Sequence, residues 1–105
     1  MKALLNVPAT AAPDEIVEIK VLIQHPMETG FRTDRNGQRV PRDIIQQLFC
    51  DYRGEEVFRV QLFPAVAANP FFAFTLRAQA TGEVVLRWID QSGREHRGAR
   101  TLTVA

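Results

Sequence analysis

The sequence has little of what most reactive sites are built from. Its 105 residues include one cysteine, Cys50, and two histidines, His25 and His96. A single cysteine forms neither an internal disulfide framework nor a zinc ribbon. Thirteen Lys+Arg against twelve Asp+Glu leave a formal charge of +1. That is no basic excess for a nucleic-acid-binding face. No stretch approaches the roughly 20 apolar residues of a membrane span. Residues 1–8 hold only Ala3, Leu4 and Leu5 in a row, short of the roughly 7–15 apolar residues of an export signal. Taken alone, that points to the cytoplasm. Repeats, low-complexity tracts, a glycine-rich phosphate loop and a Gly-x-Ser-x-Gly elbow are all missing.

What is present is globular. Hydrophobic residues make up 46% and charged residues 24%, which excludes a disordered tail, a collagen-like fibre and a coiled coil. The length suits one domain, residues 1–105, with a single core. The cations are lopsided, eleven Arg and only Lys2 and Lys20. Arg favours bidentate carboxylate contacts and interfaces, although composition bias gives the same count.

The dominant period is two. Glu15–Gln24 alternates, with Val17, Ile19, Val21 and Ile23 on one face. Ile45–Tyr52 sets Leu48, Cys50 and Tyr52 inward, Arg53-Gly54 turns, and Phe58, Val60 and Leu62 return. Phe72, Phe74 and Leu76 form the next inward set. Thr81-Gly82 turns into Val84, Leu86 and Trp88, and Gln91-Ser92-Gly93 turns into His96–Val104. With a short leading strand at Ala3–Val7, this makes about seven strands and no helix of ten residues. The pattern predicts an all-β, immunoglobulin-like antiparallel β-sandwich.

Two connections break the rhythm. His25–Asp43 runs nineteen residues, against about 2–5 for a hairpin loop. Asn36-Gly37 inside it predicts a small two-stranded ribbon. Pro64–Pro70 is apolar and bounded by prolines, so it reads as a crossover between sheets. Its apolar side chains either pack on the core end or meet a partner.

The chemistry-bearing residues do not assemble into a site. Cys50 shares a strand face with Leu48 and Tyr52, which reads as a buried, inert thiol. A reactive or partner-linked thiol is the alternative. A His-Pro-Met run, His25-Pro26-Met27, also occurs in superoxide reductases, which use an immunoglobulin-like sandwich. Their iron needs four imidazoles and a thiolate, and this chain has two histidines. For His25 the plain reading is a ring that caps the strand end or bonds a loop backbone. His96 reads as a solvated strand residue beside Glu95. Glu55-Glu56 point to opposite faces of a strand and read as a solvated turn edge. The expectation is a non-catalytic domain without metal or cofactor.

The outward positions are less ordinary. Ile45, Phe49, Val57, Phe63, Phe71, Val85 and Ile89 fall on the non-core parity of their strands, among Gln47, Asp51, Arg59, Gln61, Arg77 and Arg87. Either a partner covers one sheet, or bulges switch the parity of some strands.

Four blocks carry a resemblance that spans Leu5 to Ala105. They are Ile19–Arg32 (with His25-Pro26-Met27-Glu28-Thr29-Gly30), Val40–Ile45, Tyr52–Phe58 and Leu62–Phe71 (with Pro64-Ala65-Val66-Ala67-Ala68-Asn69-Pro70). In these the chain resembles the SoxZ family of bacterial thiosulfate oxidation. The resemblance implies a subunit that pairs with a SoxY-type carrier. That carrier's glycine-rich arm holds sulfur intermediates on a cysteine. The pair would dock transiently on a Sox cytochrome, a hydrolase and a sulfane dehydrogenase. Thr101–Ala105 reads as an ordinary strand, and Cys50 does not match the carrier position. The resemblance also implies the periplasm, reached folded with a partner whose twin-arginine signal serves both. Recognition surface is expected at His25, Pro26, Met27, Glu28, Thr29, Phe31, Arg32, Arg42, Phe63 and Phe71. A self-associating immunoglobulin-like binding module without sulfur chemistry is the rival.

Overall fold

In the computed structural model, residues 2–63 and 68–105 are described. Eight strands run in chain order: β1 Lys2–Asn6, β2 Thr10–Ala11, β3 Glu15–Gln24, β4 Ile45–Tyr52, β5 Glu55–Gln61, β6 Phe71–Ala78, β7 Gly82–Asp90 and β8 Glu95–Val104. They form two sheets, β1-β3-β6 and β2-β8-β7-β4-β5. This is the all-β sandwich expected of an immunoglobulin-like fold. The strand beyond the expected seven is β2, which pairs parallel to β8 over two residues.

Alternation builds the core. Ile19, Val21 and Ile23 of β3 face Leu48 and Cys50 of β4, and Val84 and Leu86 of β7, all fully buried. At about 25 cal/mol per Å² of apolar area, such burial is the main driving force. Arg53 and Gly54, both at positive φ (54° and 82°), make the tight turn from β4 to β5. The Tyr52 hydroxyl donates to the Ala80 carbonyl and accepts the Ala80 N–H at 3.2 Å, pinning the β6–β7 turn to the end of β4.

One of the outward assignments is corrected by the register, and another is covered on its outer face. Ile45 is fully buried, because the register slips between Ile45 and Gln47. One extra residue, Gln46, turns Ile45 to the core. Phe49 keeps its outward parity yet is only 8% exposed. The guanidinium carbons of Arg59 and Arg87 lie 5.1 and 4.8 Å from its ring centroid. Arg87 is held there by Asp51, Nε to Oδ2 at 2.8 Å. The two cations cover the aromatic face and gain cation–π attraction from it. Phe63 and Phe71 remain exposed, and Val57 sits at a bulge where β5 slips against β4.

Candidate functional site at the loop end

The long connection leaves β3 at one end of the sandwich and is tied down at its root. His25 and Met27 are each 3% exposed. The Met27 N–H donates to His25 Nδ1 at 2.9 Å, so the proton of the neutral ring is on Nε2, 3.6 Å from Asp43 Oδ1. This is the loop-backbone bond expected of His25. Met27 takes a left-handed φ of 52° and aims its thioether at the start of β4, where Sδ accepts the Ile45 N–H at 3.3 Å. Beyond Met27 the chain pairs with its own return. Glu28 and Asp43 exchange backbone bonds of 2.8 and 2.9 Å, and Thr33 bridges Arg39. Gly37, at φ 76°, turns the tip, where Asp34 Oδ1 accepts the Asn36 and Gln38 N–H groups. The ribbon expected from Asn36-Gly37 is present.

The crossover is anchored to the same root. Asn69 N–H donates to the His25 carbonyl at 2.7 Å, and Asn69 Oδ1 accepts the His25 N–H at 3.0 Å. Asn69 has φ 52°, which asparagine tolerates better than most residues. Residues Pro64, Ala65, Val66 and Ala67 lie outside the described residues, so the expectation for the crossover is tested only at its ends.

The ten expected contact residues therefore divide. His25 and Met27 face inward and brace the loop. Glu28 and Thr29 are half-buried. Glu28 forms a two-bond pair with Arg32 at 2.6 and 3.2 Å, and this holds its carboxyl below the usual range. Thr29 Oγ1 accepts the Phe31 N–H at 3.1 Å. Pro26, Phe31, Arg32, Arg42, Phe63 and Phe71 are exposed, Phe31 at 76%. A hollow of about 420 Å³ joins Thr29 and Phe31 to Arg42. A second, of about 280 Å³, joins Arg42 to Phe63. Arg42 is steadied between them by Gln91, Nε to Oε1 at 3.0 Å.

Leu4 was not among the expected residues. Strand register puts it in one cross-strand row with Leu22 and Phe71 on the outer face of the three-stranded sheet. Leu4 is 49% and Phe71 58% exposed. The alternation of β1 carries that signal, but five residues are too few to set its register against β3 from sequence alone.

His96 departs from the solvated reading. Its ring stacks on Trp88 at 5.6 Å, and Nε2 lies 2.8 Å from Asp90 Oδ2. Asp90 also accepts from Ser92 Oγ at 2.6 Å and from the Ser92 and Arg94 N–H groups. These bonds, that of His96 first, hold the Asp90 carboxyl well below the usual carboxylate range. A depressed folded-state pKa contributes stability above the unfolded value, about 4, and that stability is lost as pH falls through the folded value. Asp90→Asn is expected to flatten the acid limb of stability against pH below about pH 4. Urea midpoints from pH 2 to 7 test this, and an unchanged limb counts against it.

Among the described residues, no group of three or more His, Cys, Asp or Glu is placed to hold a metal ion. His25 is engaged through Nδ1 by the Met27 N–H, and His96 through Nε2 by Asp90. Cys50 is fully buried, and desolvation first, then the Asp51 charge, pushes its thiol up to about 12.

The fold and the loop end together define a braced all-β sandwich with an aromatic, cation-edged surface at one end. Its fold is shared with a superoxide reductase (neelaredoxin) from Ignicoccus hospitalis, at 16% identity and TM-score 0.75, covering 100% of this chain and 81% of that one. A putative superoxide reductase from Thermotoga maritima gives 16% and 0.75, covering 98% and 85%. The sulfur carrier protein SoxY from Chlorobium limicola f. thiosulfatophilum gives 15% and 0.71, covering 98% and 78%. No curated protein matches the chain. These likenesses define an architecture that serves both redox and carrier proteins. The chain itself belongs to the SoxZ family: the family model described as "Sulphur oxidation protein SoxZ" matches residues 5–101.

Proposed function

We propose that this chain is the non-catalytic half of a sulfur carrier. It pairs with a SoxY-type subunit that bears the sulfur intermediates of thiosulfate oxidation, and it helps the pair dock on the Sox cytochrome, hydrolase and sulfane dehydrogenase. The family match carries the reading. The buried Cys50 supports it, since a protonated thiol closed off from solvent does not attack or carry a substrate. The exposed set Phe31, Arg42, Phe63 and Phe71 supplies aromatic and Arg groups of the kind enriched in protein interfaces. The pair works in the periplasm, where the chain arrives folded with its partner.

Co-expression with a SoxY-type chain, followed by size exclusion with light scattering, tests the pairing. A stable one-to-one complex is the expected result. A homodimer indifferent to the SoxY-type chain would overturn it in favour of a self-associating module.

A further inference from the structure

Among the described residues, one flank of the sandwich ends in two unpaired strand edges. There β5 pairs with β4 alone and β6 with β3 alone, and the contact of Phe58 with Phe74 puts both edges on the same side of the molecule. Phe58 and Val60 on β5, and Phe72 and Phe74 on β6, point inward yet are only half-buried. Phe58 and Phe74 stack across the gap at 4.2 Å with parallel rings, the aromatic closure between the two edges. Toward the start of β5 and the end of β6 the gap widens into a groove of about 480 Å³, walled by Arg53, Glu55 and Val57 on one side and Thr75, Arg77 and Gln79 on the other.

The two edges are not equally guarded. β5 carries Glu55, Glu56 and Arg59, with Arg59 paired to Glu56 at 3.1 Å, and a bulge interrupts its register. Charges and bulges are the usual protection of an exposed edge. β6 reads Phe-Phe-Ala-Phe-Thr-Leu-Arg-Ala, eight residues with one charge, no proline and no bulge. Its free backbone groups can be assigned. Ile23 N–H donates to the Pro70 carbonyl at 3.1 Å, which makes that pair hydrogen-bonded. Antiparallel alternation then turns the groups of Phe72, Phe74 and Leu76 toward β3, and those of Phe71, Ala73, Thr75 and Arg77 toward the open flank. An unguarded apolar edge of this length is a template for strand pairing.

We propose that the β6 edge accepts an extended strand of the SoxY-type subunit, added to the sheet as its fourth strand. This rests on the pairing proposed above. The occupant follows from fold and hydrogen bonding. SoxY from C. limicola has the same sandwich fold, so a subunit of that type brings edge strands of its own. The added strand satisfies the N–H and C=O groups of Ala73 and Thr75. Its inward side chains cover Phe72 and Phe74, and its outward ones extend the Leu4–Leu22–Phe71 row.

Residue-resolved amide exchange by NMR, on the free chain and on its complex with a SoxY-type chain, tests this. On binding, the amides of Ala73 and Thr75 are expected to slow at least a hundredfold, while those of Phe72, Phe74 and Leu76, already bonded to β3, change little. Thr75→Pro removes one outward N–H without touching the β3 ladder, so it is expected to weaken the complex at least tenfold while the free chain keeps its circular dichroism spectrum. If the wild-type complex forms but Ala73 and Thr75 stay unprotected, the edge assignment fails and the pairing stands. If no complex forms, both fail. Protection that rises with the concentration of this chain alone assigns the edge to a second copy and overturns the proposal.

Discussion

Alkylation of Cys50 by iodoacetamide in the folded protein at pH 8 is expected to run roughly a thousandfold slower than for the same thiol in urea. The thiolate is the reacting species, and each unit by which a thiol's pKa rises lowers its thiolate fraction tenfold below that pKa. Burial and the neighbouring Asp51 raise Cys50 from the ordinary 9.0 to about 12, three powers of ten. The Sγ atom adds no compensating partner beyond a weak 4.0 Å approach to the Asp51 carbonyl. Loss of solvent access slows the reaction further, against the modest gain in nucleophilicity of a more basic thiolate. Mass spectrometry of labelling time courses with and without urea measures it. Equal rates in the two conditions would return Cys50 to the list of candidate sulfur carriers. The direction matters for function, because the sequence contains no other thiol. With Cys50 protonated and enclosed, the proposed pairing leaves covalent sulfur to the SoxY-type subunit.

The lone thiol was legible in the sequence because its strand was. Leu48, Cys50 and Tyr52 alternate without interruption, and the strand packs them as the period requires. The same strand shows where period fails. Gln46 is an extra residue against β7, and it carries Ile45 across the sheet into the core. A bulge changes parity without changing composition, so alternation alone cannot register it. Phe49 illustrates a different limit. Its outward parity was right, and its burial comes from two arginines on neighbouring strands, Arg59 and Arg87. Cross-strand pairing decides that contact, and pairing is long-range information. The loop end divides on the same principle. Asn36-Gly37 marked the ribbon locally, whereas the anchoring of His25 to Asn69 joins residues 44 positions apart. β2 is not legible in the sequence, because two residues paired to a distant strand leave no periodic signal. The open flank is a matter of sheet order, and strand alternation says nothing of which strands stand at an edge.

Met27→Ala is expected to cost about 2–5 kcal/mol, the usual range for truncating a buried long apolar side chain. Met27 is 3% exposed and belongs to the main core cluster, although it sits in a connection rather than a strand. Its side chain fills the end of the sandwich beneath the ribbon, so truncation leaves a cavity at the point where the loop is anchored. The loss also removes the acceptor of the Ile45 N–H, a buried donor at the first residue of β4. Leaving such a donor unpaired adds about 1–3 kcal/mol on its own account, within the same range of totals. Against a domain stability of about 5–15 kcal/mol, this is among the most damaging single changes the loop can suffer. Phe31→Ala, further along the same loop at 76% exposure, is expected to stay within about 0.5 kcal/mol of the parent. Urea denaturation of both variants, alongside titration with a SoxY-type chain, separates support from contact. Met27→Ala should lower the unfolding midpoint, and Phe31→Ala should leave it in place while weakening association. The reverse pattern would make Phe31 the packing residue and Met27 the contact, against the burial of both.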